Sequence, residues 1–378
     1  MRFRREYHIT KKIGNSHIVW FLASNSWIQL EEPAWFAYQN FVSGVENSRI
    51  SEKISKKYGL SIAESNSFVK EIIKDFRKLS SHTYQPPECF PAKDYKSPSS
   101  FYACRSYLIN KKIVEISYSS ARLEHIIHVS FAHLESKKTI KPHFRLETFS
   151  AGYNFLLKIG DKVWKESDPN FLKRKLFIEL TNLIYRKTEN DWLSYIHGSA
   201  VCNEKESVIL TTACGSGKST LAALLCNEGF KFVSDDYVPI DARYCKAFPF
   251  PAALSVKDGA FPVLFPHYEQ LKDAPVYHFK GTNKTVKYLP FPDSGDFYKA
   301  LPARKLVFVQ YNSEQPFSFR KVPTLEAIKR FNEEAWLSAR PEHARKFLKW
   351  FPGLECWELE YSDNDRAVEW VKGLFGEG

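Results

Sequence analysis

Three short blocks of this chain hold residue types that can do phosphate chemistry. In the middle block the apolar run Val208-Ile209-Leu210-Thr211 feeds a turn of small residues, Thr212-Ala213-Cys214-Gly215-Ser216-Gly217, and then Lys218-Ser219-Thr220-Leu221. A strand, a glycine turn and a helix start, in that order, form a phosphate cradle. Small residues let backbone N–H groups converge on anionic oxygens, a lysine brings positive charge to the transferring end, and a hydroxyl ligates Mg2+. Cys214, Gly215, Ser216, Gly217, Lys218, Ser219 and Thr220 are therefore the candidate nucleotide-binding residues, and ATP and Mg2+ the expected cofactors. His197 stands upstream of the loop, and Asp235-Asp236 closes the next apolar run downstream. Loop, histidine and carboxylate pair together suggest phosphoryl transfer. A hydroxyl acceptor is a weak nucleophile, so a positioned carboxylate must take its proton while Mg2+ and Lys218 neutralise charge on the phosphoryl oxygens. One aspartate can hold metal while its neighbour works as base. Adjacency on an extended segment turns the two side chains to opposite sides without deciding which does which.

The loop departs from the strict Walker A pattern, whose first glycine falls here at Thr212. Gly215 and Gly217 keep the tight part. The flanks agree with the motif: Lys218–Glu228 carries Leu221, Leu224 and Leu225 at helical spacing, Gly229 sits where a left-handed C-cap belongs, and Phe230–Val233 reads as a short buried strand. This β-loop-α-β order puts Asp235 and Asp236 at a strand's carboxyl end beside the loop, where open α/β sheets bind their ligands.

In the order and spacing of His197-Gly198-Ser199-Ala200-Val201, Cys214-Gly215-Ser216-Gly217-Lys218-Ser219, and Gly229 with Val233-Ser234-Asp235-Asp236, the chain resembles the bacterial HPr serine kinases and their relatives. That family shares a P-loop fold with the ATP-type phosphoenolpyruvate carboxykinases. The resemblance implies that Asp236 accepts the proton of a substrate serine, that His197 supports the aspartates or the phosphates, and that Lys218 and Ser219 bind phosphate and Mg2+, with Asp235 on the metal side. Family members that also run the reverse, phosphorolytic reaction carry a Glu-Ile-Arg-Gly-Leu-Gly-like segment. Here the corresponding stretch, Phe250-Pro251-Ala252-Ala253-Leu254-Ser255-Val256-Lys257-Asp258-Gly259, has no matching Glu or Arg, which argues against that reverse activity. Lys257, Lys280, Lys284, Lys287 and Arg304 are the basic residues available to supply the missing charge.

The elements that must carry these blocks give an α/β kinase domain in a chain that is α+β overall. Residues 1–80 read as a small separate domain: strands at Tyr7–Ile13, His17–Leu22 and Trp27–Leu30, then three helices. Pro33 opens the first helix, Ser48 is placed to cap the second, which Gly59 stops, and Ser61 with Glu64 makes a capping box for the third, with Phe68, Ile72, Phe76 and Leu79 on one face. In layout this is similar to the PqqD-like winged-helix domain, which implies recognition of the leader of a ribosomally made precursor peptide by addition of a strand. Residues 81–100, rich in Pro and Ser, read as a linker, and 101–378 as the ATP-binding domain. Strands are expected ahead of the loop, and amphipathic helices at Thr324–Leu337, Pro341–Phe351 and Asp363–Leu374.

A length of 378 residues and 44% apolar content are ample for a buried core. There is no run of eighteen apolar residues and no apolar segment behind the charges of Met1–Glu6, so neither membrane insertion nor export is expected and the cytoplasm is the expected compartment. Seven scattered cysteines without a Cys-x-x-Cys pair argue against a disulfide framework or a zinc site. The net charge of +11 asks for an acidic partner; nucleotide phosphates account for a little of it and an acidic peptide or protein substrate for more. Lys53, Lys56 and Lys57 cluster on one helix, but Glu52 lies among them, and a surface of mixed sign argues against nucleic acid. The expected activity is transfer of the γ-phosphoryl group of ATP to a serine-type hydroxyl of a peptide or protein. A kinase of a small-molecule hydroxyl, or an ATP-gated peptide carrier without transfer, is the competing reading.

Overall fold

The computed structural model describes residues 8–81, 84–85, 88–137, 141–278, 285–291 and 299–376. Among them the chain is a mixture of helices and mixed sheets, and it divides into two compact units. Tyr7, the Met1–Glu6 terminus, Lys280 and Lys284 lie outside the described residues.

The first unit contains Met1–Pro86 with Pro323–Lys329 and Leu337–Gly353. Its three strands, His8–Ile13, Ser16–Phe21 and Ser26–Leu30, form an antiparallel meander, and helices Glu32–Val42, Asn47–Tyr58 and Ile62–Ser81 follow. Gly59 ends the second helix in the left-handed conformation (φ 69°). The Ser61 and Glu64 box forms, with Ser61 N donating to Glu64 Oε2 at 2.9 Å and Glu64 N donating to Ser61 Oγ at 3.2 Å. Ser48 does not cap: the helix already begins at Asn47, after Glu46. The innermost seam of the third helix is Ser65, Val69, Ile73 and Phe76, so the expected face is rotated and Phe68, Ile72 and Leu79 flank it. The unit reaches beyond the 1–80 read from sequence, because the Trp27 ring packs 5.2 Å from Phe347 and Asn25 Nδ2 donates to Leu337 O at 2.9 Å.

The second unit holds the two large sheets. In a six-stranded sheet, Cys89–Pro91 pairs with Lys162–Glu166, so part of the stretch read as linker is a strand. Helix Pro169–Tyr185, capped by Asp168 accepting from Asn170 N, covers this sheet through Leu172, Leu176 and Leu180. The ten-stranded sheet is mixed, and its centre explains why blocks far apart in sequence meet. The loop strand Ser207–Thr211 runs parallel to Leu301–Tyr311, which runs parallel to Glu355–Tyr361. On its other side it is antiparallel to Gly198–Cys202, which is antiparallel in turn to Lys231–Ser234. Two reversals bring the carboxyl ends of Ser207–Thr211 and Lys231–Ser234 to the same edge as the start of Gly198–Cys202. His197, the glycine loop and the aspartates therefore share one end of three neighbouring strands. The loop helix, Lys218–Asn227, buries Leu221, Ala222, Ala223 and Leu225 against this sheet.

The last tail residues differ from expectation. Helix Thr324–Glu334 stops three residues early, and Ala335–Leu337 is a short strand on Trp192–Ile196. Pairing at a sheet edge outweighs a weak helix preference there; Ser194 Oγ also donates to Trp336 O at 2.8 Å.

A Cβ on Gly198 would lie 2.5 Å from Leu210 O in the ladder beside the loop strand. Gly198→Ala should lower unfolding free energy by about 1–3 kcal/mol, the cost typical of overpacking, seen as a lower urea midpoint. An unchanged midpoint would show that the two strands can part without penalty.

Candidate active site

The loop between Thr211 and Lys218 is held from both sides. Ser216 O accepts from Tyr311 N at 2.9 Å, and Asn312 N donates to Tyr361 O at 2.9 Å, so the ends of two parallel strands back the turn. Gly217 has φ 93°, and a Cβ there would meet Tyr361 Oη at 2.8 Å and Tyr311 Cβ at 2.9 Å; no larger residue fits. Thr212 occupies the place of the pattern's first glycine and adopts φ 147°, a conformation that side chains with a Cβ rarely take. The backbone thus keeps the shape a glycine would give, although the sequence does not. Among the described residues, three buried polar atoms around the turn have no hydrogen-bond partner: Thr212 Oγ1, Ser216 Oγ and Tyr361 Oη.

Lys218 is buried and folds back on the loop, its Nζ donating to Thr212 O at 2.6 Å and Ala213 O at 2.9 Å. Burial pulls its pKa down, against the pull of Asp236, Cys214, Glu334 and Asp235. Ser219 Oγ donates to Asp235 Oδ1 at 2.8 Å. The two aspartates occupy different settings. Asp235 is 3% exposed and accepts from Ser199 Oγ (2.5 Å), Ser219 Oγ (2.8 Å) and Ser255 N (3.0 Å). Burial, and then the neighbouring charge of Asp236, push its pKa up to about 6 despite those donors. Asp236 has φ 60°, a left-handed turn that aspartate tolerates, and its side chain is 57% exposed. That turn leaves one carboxylate beneath the loop helix and swings the other into the open.

His197 Nε2 lies 3.8 Å from Asp236 Oδ1, and its Nδ1 lies 3.0 Å from Glu334 Oε2. Backbone bonds fix the ring's position: His197 N donates to Glu334 O at 2.8 Å, and His197 O accepts from Thr211 Oγ1 at 3.0 Å. Strand Leu254–Lys257 runs along the cleft. Its alternate residues Ser255 and Lys257 face in, with Ser255 Oγ 3.2 Å from Asp236 Oδ2 and Lys257 Nζ 2.9 Å from Cys214 Sγ. His197, Cys214, Asp236, Ser255 and Lys257 line a cleft of about 240 Å³, together with Lys218, Ser219, Tyr311, Tyr361 and Asn364.

No family model matches the chain, and no curated protein matches it in sequence.

The residues singled out from sequence are thus brought together: His197, Cys214, Gly215, Gly217, Lys218, Ser219, Thr220 and Asp236 line the cleft, and Asp235 and Ser216 are buried against it. Of the candidate basic residues, Lys257 reaches the loop. Lys287 instead donates to Leu271 O and Lys272 O, and Arg304 lies 3.6 Å from Glu206 with an exposed side chain. Sequence reasoning missed Glu334, Ser255 and Lys173. Lys173, half-buried on the helix Pro169–Tyr185, is pulled down to about 8 by burial, with Asp236 opposing. Ser199, which donates to Asp235, stood in the quoted His197 block without a role assigned to it.

The donor set suits the expected cofactors. Ser219 and Asp235 offer adjacent oxygens of the hard kind Mg2+ prefers, and unpartnered hydroxyls beside a helix N-terminus suit phosphate.

Two consequences are measurable. Strain at Thr212 of the kind worth about 1–3 kcal/mol exceeds the entropic cost of glycine, about 0.5–1 kcal/mol, so Thr212→Gly should raise the urea midpoint; a drop would mean the side chain is needed. Asp235 protonates more readily folded than unfolded, because its pKa is raised from 3.8 to about 6. Its contribution to stability is therefore present at low pH and fades as pH climbs from 3.8 towards 6. The stability difference between wild type and Asp235→Asn, measured by denaturant titration across that window, should move against the wild type as pH rises. A flat difference would contradict the burial argument.

Proposed function

We propose that this chain is an ATP- and Mg2+-dependent phosphotransferase of the P-loop, HPr kinase-like type that moves the γ-phosphoryl group to a serine-type hydroxyl of a peptide or protein. One observation carries the reading: two adjacent aspartates at the mouth of a glycine loop are split into a buried one bonded to Ser219 and an open one beside His197. Asp235 and Ser219 are the residues that would hold Mg2+, which when bound supplies positive charge to the phosphoryl oxygens. Lys218 exchanges its loop carbonyls for phosphate oxygens on nucleotide binding. Asp236, whose side chain is 57% exposed, is the residue that takes the acceptor's proton. His197, fixed by Glu334 on one nitrogen, presents the other to Asp236 and steadies the carboxylate. Residues 1–80 deliver the peptide: the meander of the first unit has two outer strands, His8–Ile13 and Ser26–Leu30, on which a leader can add by main-chain pairing. No helix among the described residues is long and apolar enough to cross a membrane.

The test is turnover with a pool of serine-containing peptides. Asp236→Asn should lower phosphate transfer roughly 10²–10⁴-fold, the usual worth of a positioned base, while leaving affinity for a fluorescent ATP analogue unchanged. Lys218→Ala should lose that affinity. Transfer that survives in Asp236→Asn removes Asp236 from the reaction, and ATP binding with no turnover in any variant supports the carrier reading instead.

A further inference from the structure

The acceptor position of this cleft is already filled by one of the chain's own hydroxyls. Ser255 Oγ lies 3.2 Å from Asp236 Oδ2 and 3.4 Å from Asp235 Oδ2, and it lines the same cleft as Lys218 and Ser219. It is held there by more than a side-chain bond, since its own backbone N donates to Asp235 Oδ2 at 3.0 Å. The ladder adds a second constraint: Ser255 is opposite Tyr288 on strand Thr285–Leu289, so its register on the cleft face is fixed. Two residues on, Lys257 lies on the same face of the strand and touches the loop at Cys214, which puts a cation beside the phosphate cradle. A hydroxyl donating to the open carboxylate, next to a lysine and facing a phosphate loop, has the arrangement an acceptor serine needs.

We propose that Ser255 is a site of intramolecular phosphorylation, a step that rests on the phosphotransferase reading above. Ser255 Oγ attacks the γ-phosphorus of bound ATP, an O–P bond forms, the bond from that phosphorus to the β–γ bridging oxygen breaks, and ADP leaves. The hydroxyl proton passes to Asp236. The product places a phosphate dianion beside Asp235 and Asp236, in a cleft that Lys218 and Lys257 also line, and it removes the free hydroxyl from the base. Phosphorylated protein should therefore transfer more slowly to an external acceptor than unmodified protein.

The experiment incubates the full chain with MgATP, without peptide, and maps phosphate by mass spectrometry of proteolytic fragments. The expected result is one phosphoryl group on the fragment containing Ser255. It should be absent from that fragment in Ser255→Ala, retained on threonine in Ser255→Thr, and formed about a hundredfold more slowly in Asp236→Asn. The initial rate per molecule should be independent of protein concentration. A rate that grows with concentration would overturn the intramolecular step, and label on Ser255 that is indifferent to Asp236→Asn would overturn its chemistry. An unlabelled Ser255 in protein that binds the fluorescent ATP analogue and phosphorylates added serine peptides would sink this inference and leave the phosphotransferase reading standing. Failure to bind the analogue or to transfer to any acceptor would sink the reading itself. Analogue binding by each variant shows that its cleft is folded.

Discussion

The carboxylate of Asp235 is the tie on which the cleft depends. It is buried, and its donors come from three separate elements: Ser199 from the central antiparallel strand, Ser219 from the loop helix and Ser255 from a strand across the cleft. A buried carboxylate is costly unless it is hydrogen-bonded, so each of those elements is held to a geometry that satisfies it. Apolar packing of Leu221, Leu224 and Leu225 with Leu254 and Val256 also joins the loop helix to the strand that carries Ser255, and the carboxylate adds the directional bonds that fix their polar faces. The left-handed turn at the next residue then frees Asp236 for the open side. One short sequence thereby supplies both an anchor and a reactive group, and the price is a strained pairing of two like charges that raises the proton affinity of the buried member.

How much of this could be read without coordinates depends on the range of the interaction. Gly215, Gly217, Lys218 and Ser219 declare themselves because a tight turn before a helix demands particular residue types within a few positions. Gly59 and the Ser61 and Glu64 box are legible for the same reason. Asp235 and Asp236 were legible as a pair, yet their division of roles was not, because it follows from a positive φ that the sequence does not announce. Glu334 carried no signal at all. It reaches His197 because a helix stops early and the chain turns to extend a sheet, an outcome decided by strand pairing rather than by local preference. Ser255 lay within a stretch read only for what it lacked, the Glu and Arg of a related segment; its alternation with Lys257 is a two-residue period whose meaning appears once the facing strand is known.

Thr212 shows the opposite case, in which a rule fails locally while its purpose is met. The loop needs a backbone shape that glycine adopts freely, and here threonine is forced into it by the strands behind and the helix ahead. Strain of this sort persists only where the surroundings over-determine the conformation. The backing from Tyr311 and Tyr361, together with the lack of room at Gly217, supplies that over-determination.

The order of the central sheet also has a bearing on how the molecule is made. The loop strand at 207–211 has its parallel neighbour at 301–311, and that strand has its own at 355–361. A ribosome working from the amino end finishes the glycine turn well before it reaches either partner, and pairings between segments so far apart form late because a long intervening chain must first be closed. The nascent polypeptide therefore carries an unsupported turn until those later strands are made, and competence to grip a nucleotide arrives only as the final strand docks.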